Sequence, residues 1–284
     1  MYERFSRLSD ADWHAVLKRS LKEPVIDGVR FPGFPDDSTQ ALFTSHKGDA
    51  ALNEAFTFFQ IAQAACSRFG KPLGRATRLL DFGVGWGRIV RYFLRDVAPQ
   101  NIHGVDVTPQ VLGICQSLLP VGDYRLVKPR GAFDYADASF DLVTAFSVFS
   151  HLSADNGLHW IREMHRVVAP GGLVVLTTLS RSFVALCRDV ATNPGASDWA
   201  KGMAESVTRS YPDWKTKLAK FPEDELLYLS SGGGFDSLAP DDYGWAMVPA
   251  AWARKNWGPY FEVVEYADDP AKLAQAYMTL RRRP

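Results

Sequence analysis

The chain has 284 residues, of which 46% are hydrophobic and 23% charged, a composition that excludes general disorder and permits a large core. Lys and Arg total 32 and Asp and Glu also total 32, so no overall positive charge attracts nucleic acid or an anionic membrane. No run of about 18 residues is apolar enough to span a membrane, and the N-terminus lacks the apolar region of a secretory signal.

The cysteines indicate a reducing compartment. Cys66, Cys115 and Cys187 are widely spaced, and their odd number argues against both a disulfide framework and a zinc site. We therefore expect a cytoplasmic protein that binds no metal, with neither nucleic acid nor a membrane as its partner.

Residues 1–76 are predicted to form a helical segment that folds over a binding site. Helices are expected over residues 10–21 and 49–69, where apolar residues recur at the spacing of one helix face. The loop between them contains Phe-Pro-Gly-Phe-Pro at residues 31–35, which cannot continue a helix because proline lacks the amide donor.

From about residue 77 onward, strand and helix patterns alternate. Short apolar strands are predicted at residues 78–81, 101–106, 124–127, 140–146 and 173–178. Helices are predicted between them at residues 88–94, 109–118 and 154–168. Such alternation is typical of right-handed βαβ units, so residues 77–180 are predicted to form an α/β core with a parallel sheet covered on both faces.

The remaining chain is less regular. Residues 181–245 are predicted to be an inserted cap, and residues 246–284 to complete the sheet with strands at 261–266 and 274–280. Tryptophan and tyrosine are concentrated after residue 180, and aromatic clefts are typical ligand pockets.

Two segments of this region are candidates for substrate contact. Residues 241–245 place acids beside aromatic residues, and we select Asp242, Tyr243 and Trp245 as substrate-binding residues. Residues 230–236 form a glycine-rich loop, which is suited either to a lid or to a plain connection.

A glycine-rich turn follows the first strand of the core. Gly83, Gly85 and Gly87 lie between a predicted strand and a helix, where missing side chains let a ligand lie against the backbone. A dinucleotide-binding turn has a different glycine spacing, and Asp81 would repel a diphosphate but attract a cationic amino group. Asp106 ends the next strand, where a carboxylate takes both hydroxyls of a ribose. One acid for an ammonium group and one for a ribose favour S-adenosylmethionine over NAD as the ligand.

Four ordered motifs resemble those of class I S-adenosylmethionine-dependent methyltransferases. They are Asp-Phe-Gly-Val-Gly-Trp-Gly at residues 81–87, Gly-Val-Asp at 104–106, Phe-Asp-Leu-Val at 140–143 and Val-Ala-Pro-Gly-Gly at 168–172. The resemblance covers residues 77–180 and implies a Rossmann-like, mostly parallel sheet of seven strands with helices on both faces.

A closer resemblance concerns the substrate class. Gly-Trp-Gly-Arg at residues 85–88 and Ser-Val-Phe-Ser-His-Leu at 147–152 are similar to a bacterial subgroup that acts on sugars and other secondary metabolites. The activity it implies is in-line transfer of a methyl group to an oxygen or nitrogen of a small molecule. The alternatives are a catalytically silent S-adenosylmethionine-binding protein or partner subunit and, with less support, an NAD-dependent oxidoreductase.

The resemblance also implies a set of cofactor-binding residues: Asp81, Gly83, Gly85, Trp86, Arg88, Asp106, Val107, Ala132, Phe133, Phe146 and Ser147. The methionine part would lie against Asp81 and the glycines, the ribose against Asp106, and the adenine against residues 131–134. Asp106 is alternatively a helix cap, a role for which Thr108 competes.

Three side chains have more than one interpretation. Phe133 suits the core as well as it suits an adenine contact. Arg88 is suited to pairing with the cofactor carboxylate, to pairing with Asp81, or to facing solvent. His151 follows the fourth strand and is the candidate general base, because histidine titrates near neutral pH; a backbone hydrogen bond is its alternative role.

Overall fold

The structure, a computed structural model, describes residues 2–232, 238–239 and 242–283. The chain divides into two compact units: a first unit of Met1–Lys128 and Asp134–Phe146, and a second unit of Pro129–Phe133 and Ser147–Pro284. Part of the predicted glycine-rich loop (residues 233–236) and Asp241 lie outside the described residues.

The first unit contains five α-helices among its described residues. They are α1 (Asp10–Arg19), α2 (Asp37–Thr44), α3 (Gly48–Arg68), α4 (Val90–Phe93) and α5 (Pro109–Leu118). Its strands are β1 (Val25–Ile26), β2 (Val29–Arg30), β3 (Leu79–Phe82), β4 (Ile102–Asp106), β5 (Asp123–Leu126) and β6 (Phe140–Ala145). Short 3-10 helices occupy Tyr2–Phe5 and Pro99–Asn101.

The parallel strands of the first unit lie in the order β6–β3–β4–β5. Leu79 of β3 is paired with Leu142 of β6 on one side and with Ile102 of β4 on the other. All three side chains are fully buried, as expected for central parallel strands that are covered on both faces.

The N-terminal helices pack on this unit through buried aromatic residues. Ser9 begins α1, since its hydroxyl accepts a hydrogen bond from the Asp12 amide. The buried indole of Trp13 donates to the carbonyl oxygen of Tyr92 at 2.9 Å. Helix α2 occupies part of the segment that the sequence predicted as a loop, and the Asp36 carboxylate caps its first turn.

The second unit contains α6 (Ala154–Val167), α7 (Ser182–Thr192), α8 (Asp198–Ser210), α9 (Trp214–Ala219) and α10 (Ala250–Trp257). Its strands are β7 (Val168–Thr178), β8 (Leu227–Ser230), β9 (Gly244–Met247), β10 (Phe261–Ala267) and β11 (Ala276–Arg282). Strand β11 pairs in antiparallel fashion with both β7 and β10, and β8 forms a separate hairpin sheet with β9.

The fold class predicted from the sequence is confirmed. The main sheet has seven strands in the order β10–β11–β7–β6–β3–β4–β5, mostly parallel, with helices alternating along the chain. The predicted domain boundaries at residues 76, 180 and 245 stay a prediction.

Two predicted elements are wrong in extent. The helix expected over residues 88–94 is limited to Val90–Phe93, because the glycine-rich turn continues through its first residues. Strand β7 begins at Val168, immediately after α6. Residues 169–172, which lie between the predicted helix and the predicted strand, therefore belong to an extended strand.

All three cysteines are buried and carry free thiols. Within the residues that the structure describes, no helix combines the length and the hydropathy that a bilayer-spanning segment needs.

The packing around Gly104 of β4 provides a test of the core. A Cβ atom at this position would lie 2.8 Å from Val84 Cγ2 and 2.9 Å from Tyr124 Cδ1, closer than carbon atoms pack. We expect Gly104→Ala to lower the free energy of unfolding by about 1–3 kcal/mol, as measured by urea denaturation, because the neighbours must move apart.

Gly113→Ala in α5 is the matched control. No heavy atom lies within 4 Å of a Cβ there, so we expect unchanged stability or a gain of about 0.5–1 kcal/mol. Equal losses in the two variants would contradict the packing described.

Candidate functional site

The glycine-rich turn after β3 has a backbone that favours glycine. Gly83, Gly85 and Gly87 have φ angles of 76°, 56° and 82°, all in the left-handed region. The amides of Gly83 and Val84 both donate to the Val105 carbonyl oxygen, which fixes the turn against the end of β4. A Cβ on Gly85 would meet only the Gly83 carbonyl oxygen, at 4.0 Å, so the backbone there faces open space.

Asp81 presents an unpaired carboxylate oxygen inside the protein. Its Oδ1 accepts a hydrogen bond from the Thr144 hydroxyl at 2.7 Å. Its Oδ2 is buried and has no hydrogen-bond partner among the described residues. Burial raises the pKa of Asp81 to about 7, against the opposing effect of the Thr144 hydrogen bond. A buried acceptor in this state is suited to a cationic donor from a ligand.

The carboxylate of Asp106 holds the same turn from the neighbouring strand. Its Oδ2 accepts from the Gly85 amide at 3.0 Å, and its Oδ1 accepts from the Thr108 amide at 2.9 Å. Burial raises the pKa of Asp106, and these backbone hydrogen bonds oppose the shift. Thr108 takes the N-cap position of α5. Because each carboxylate oxygen has a second acceptor position, Asp106 is still able to accept ribose hydroxyls.

Arg88 is held by the N-terminal helix α3. Its Nη1 forms an ion pair with Glu54 Oε2 at 2.5 Å and donates to the Ala51 carbonyl oxygen at 3.1 Å. Its guanidinium carbon lies 4.8 Å from the centre of the Phe146 ring. The alternatives of pairing with Asp81 or facing solvent are therefore wrong. Sequence reasoning missed Glu54, because nothing in the local pattern links it to a residue 34 positions away.

The indole of Trp86 lies in the hydrophobic core of the first unit. It clusters with Ala51 and Val111, and Phe34 packs against this group. The Arg91 guanidinium carbon lies 4.9 Å from the indole ring centre. The role of Trp86 in cofactor binding stays a prediction, as does that of Val107, which is half-buried.

Ala132 and Phe133, which are predicted to bind the adenine, belong to the second unit. Phe133 is buried and its ring centre lies 5.0 Å from that of Trp160. Its amide donates to Glu163 at 3.0 Å and its carbonyl oxygen accepts from Arg166 at 2.8 Å. The structure thus places Phe133 in a core contact, while the neighbouring Ala132 is exposed.

Ser147 lies in the loop after β6 with a φ of 58°. Three hydrogen bonds form a closed ring around it. The Ser147 amide donates to Thr177 Oγ1 at 2.7 Å, the Thr177 hydroxyl donates to Gln275 Oε1 at 2.6 Å, and Gln275 Nε2 donates to Ser147 Oγ at 2.8 Å. Sequence reasoning missed Thr177 and Gln275, which fix the backbone at the start of the loop that carries His151.

His151 is oriented by a backbone carbonyl. Its Nδ1 lies 2.7 Å from the Gly244 carbonyl oxygen. A carbonyl oxygen only accepts, so the neutral ring carries its proton on Nδ1 and leaves a lone pair on Nε2. Burial lowers the pKa of His151 and outweighs the Gly244 hydrogen bond, which raises it. The lowered pKa favours the neutral imidazole at pH 7. The ring stacks on Tyr243 with centres 4.6 Å apart.

All three predicted substrate residues belong, like His151, to the second unit. Tyr243 provides the stacked ring, and Asp242 forms an ion pair with Arg130 at 2.6 Å. Trp245 packs instead against the hydrophobic cluster that includes Leu229. The substrate-binding roles of Asp242, Tyr243 and Trp245 stay predictions.

In the described part of the chain, no three His, Cys, Asp or Glu side chains are grouped in a way that could hold a metal ion.

Comparison with known proteins identifies methyltransferases. The family described as "Methyltransferase domain" matches residues 80–176. The Ubiquinone biosynthesis O-methyltransferase of Dechloromonas aromatica (strain RCB) is 31% identical over 165 residues, covering 54% of this chain and 68% of that protein. The protein of the same name from Caulobacter sp. (strain K31) is 27% identical over 206 residues, covering 68% of this chain and 75% of that protein.

The solved structures show the same fold. The crystal structure of a S-adenosylmethionine-dependent methyltransferase from Clostridium acetobutylicum ATCC 824 superposes with a TM-score of 0.53 at 10% identity. The superposition covers 87% of this chain and 97% of that chain.

The residues of the first unit fit S-adenosylmethionine. The unpaired Oδ2 of Asp81 matches an ammonium group, and the open space beside Gly85 allows a ligand to approach the backbone. Asp106 offers carboxylate oxygens for ribose hydroxyls.

Binding of S-adenosylmethionine is expected to tighten as the pH rises through about 7, because only the ionised Asp81 attracts an ammonium group. Asp81→Asn keeps the shape but removes the charge, so we expect weaker binding with that pH dependence lost. Isothermal titration calorimetry in two buffers of different protonation enthalpy measures both the affinity and the proton released.

The same carboxyl group affects the stability of the cofactor-free protein in the opposite direction. The folded-state pKa of Asp81 lies above the ordinary value of about 3.9. The contribution of Asp81 to the free energy of unfolding is therefore full below about pH 3.9 and is lost as the pH rises towards 7. We therefore expect Asp81→Asn to reduce the fall in stability over this range.

Asp49→Asn, which changes an exposed carboxylate of the same unit, is the control and should keep the wild-type profiles of binding and stability. A pH-independent affinity in the wild-type protein would contradict the role of Asp81.

Proposed function

Since this chain belongs to the class I S-adenosylmethionine-dependent methyltransferases, we propose that it methylates a hydroxyl oxygen of a small molecule with His151 as the general base. The two relatives reported above are both named O-methyltransferases, which supports oxygen over nitrogen as the acceptor atom. The sequence motifs support a sugar or another secondary metabolite as the acceptor.

The observation that carries this proposal is the orientation of His151. Its Nδ1–H is used by the Gly244 carbonyl oxygen, so Nε2 is the nitrogen that remains able to accept a proton. Among the described residues no hydrogen bond occupies Nε2, and burial lowers the pKa of His151, which keeps the ring neutral at physiological pH. A neutral imidazole held in one tautomer by a backbone group has the properties of a general base.

Gly244 is suited to fixing this orientation. A Cβ at Gly244 would lie 2.2 Å from the Leu229 carbonyl oxygen, so the approach of β9 to β8 excludes any side chain there. The amide of Gly244 also donates to the His151 carbonyl oxygen at 3.0 Å. Two hydrogen bonds thus join the His151 residue to β9 and restrict rotation of the ring.

The cofactor supplies a sulfonium-activated methyl group when it is bound. The protein's part is to align the acceptor oxygen and to remove its proton. In the proposed step the acceptor O–H bond would break with its proton moving to His151 Nε2, and the oxygen would bond to the methyl carbon as the carbon–sulfur bond breaks and the sulfur leaves as a neutral thioether. The hydrogen bond from Nδ1 to Gly244 stabilises the imidazolium that results, because that bond becomes charge-assisted.

Residues around His151 support a role in holding the acceptor. The Tyr243 ring stacks on the imidazole and enlarges its aromatic surface. Asp242, the residue before Tyr243, forms an ion pair with Arg130. An aromatic surface bordered by polar groups suits a ring-containing acceptor with hydroxyl groups.

We propose a cytoplasmic location and no nucleic-acid partner. Three unpaired thiols are typical of a reducing compartment, and a net charge of zero gives no general attraction to phosphate backbones.

Two substitutions of His151 separate its two hydrogen-bonding positions. His151→Asn retains a donor near the Nδ1 position but deletes Nε2, whereas His151→Gln retains a polar group near Nε2 that cannot act as a base. We expect both to lower kcat by about 10²- to 10⁴-fold. The affinity for S-adenosylmethionine should be unchanged, as measured by calorimetry.

The pH profile of the wild-type enzyme provides a second measure. We expect kcat to fall at pH values below the ordinary histidine pKa of about 6.5, because the base is then protonated. His165→Gln, which changes a histidine of the same unit on α6, is the control and should keep the wild-type rate and profile. Retention of full kcat by His151→Asn would rule out His151 as the base.

A further inference from the structure

Glu54 and Arg88 form an ion pair that is largely withdrawn from solvent. The side chains are 16% and 7% exposed, and Glu54 Oε2 lies 2.5 Å from Arg88 Nη1. The same nitrogen donates to the Ala51 carbonyl oxygen, one helical turn before Glu54 in α3. Helix α3 therefore provides both a charge and a neutral acceptor for this guanidinium.

The position of Arg88 makes its charge important for the cofactor. Arg88 follows directly after Gly87, the last glycine of the turn. Its positive charge acts on Asp81, where it favours the ionised form. A guanidinium released from Glu54 would be a mobile cation close to the carboxylate whose Oδ2 has no other partner among the described residues.

We propose that Glu54 is a positioning residue for cofactor binding, which holds Arg88 away from Asp81 and neutralises its charge. The inference rests on the use of S-adenosylmethionine, but neither on the acceptor nor on His151. Its physical basis is charge compensation, since Glu54 offsets the positive charge of Arg88 next to the turn and so reduces the repulsion of a ligand with a net positive charge.

The charge of the ligand distinguishes this role from a purely structural one. S-adenosylmethionine carries a sulfonium and therefore one positive charge more than S-adenosylhomocysteine, and the two ligands are otherwise alike except for the methyl group. An unneutralised Arg88 repels the sulfonium form more strongly. A general loss of packing in α3 would weaken both ligands equally.

The test is Glu54→Gln, with both ligands titrated by isothermal calorimetry at the same ionic strength. Glutamine keeps a carbonyl oxygen for Arg88 but removes the charge. We expect S-adenosylmethionine to bind roughly tenfold more weakly and S-adenosylhomocysteine less than about threefold more weakly, with the difference reduced at high salt.

Asp49→Asn is the matched control on the same helix. Asp49 pairs with Lys18 at 2.9 Å on an exposed surface, so the same carboxylate-to-amide change should leave both affinities unchanged. The double variant Glu54→Gln/Arg88→Gln removes both charges and should return the ratio of the two affinities towards that of the wild type.

Several outcomes would overturn the proposal. Equal losses for the two ligands would show a structural role only, and unchanged affinities would show no role. Tighter binding of both would show that a free Arg88 pairs with the cofactor carboxylate. If Glu54→Gln does not fold, Arg88→Gln alone decides, since the proposal requires it to bind S-adenosylmethionine at least as tightly as the wild type does. All these measurements omit the acceptor, so they succeed or fail independently of the proposed methyl transfer.

Discussion

Two carboxylates buried at the ends of adjacent parallel strands are the constraint on which the first unit depends. Removing a carboxylate from water is unfavourable unless hydrogen bonds or a cation compensate it. Asp106 is compensated by the amides of Gly85 and Thr108, whereas Asp81 is compensated on one oxygen only, by Thr144. The remaining oxygen of Asp81 has no partner among the described residues, and the proposed contact with an ammonium group would satisfy it.

The glycine-rich turn follows from this arrangement. For its amide to reach Asp106, Gly85 adopts a left-handed backbone, and its missing side chain leaves space beside the turn. The glycine-rich turn is also held by contacts from outside the sheet. Helix α3 provides them by binding Arg88 through Glu54 and the Ala51 carbonyl oxygen. Helix α3 is thus joined through this ion pair to the residue that follows the turn.

The second unit keeps the side chain of His151 neutral and in one tautomer. Burial disfavours the imidazolium, and the Gly244 carbonyl oxygen fixes the proton on Nδ1. Gly244 is able to do this because β8 and β9 approach too closely for a side chain at that position. His151 lies in a loop, but its hydrogen bonds to strand β9 fix its position. The hydrogen-bond ring of Ser147, Thr177 and Gln275 fixes the start of the same loop.

The sequence by itself determined the α/β architecture, the glycine-rich turn and the two acids, because these depend on local periodicity and on the rule that parallel strands end at one edge of the sheet. It failed over the length of α4, where the turn replaces the first helical residues, and it gave no sign of Glu54 as the partner of Arg88. Only the tertiary structure decided which side chain meets which over long separations. The pairs Glu54 with Arg88, His151 with Gly244 and Ser147 with Gln275 are 34, 93 and 128 positions apart. Such contacts depend on how whole elements pack, and no pattern within a few residues of either partner encodes them.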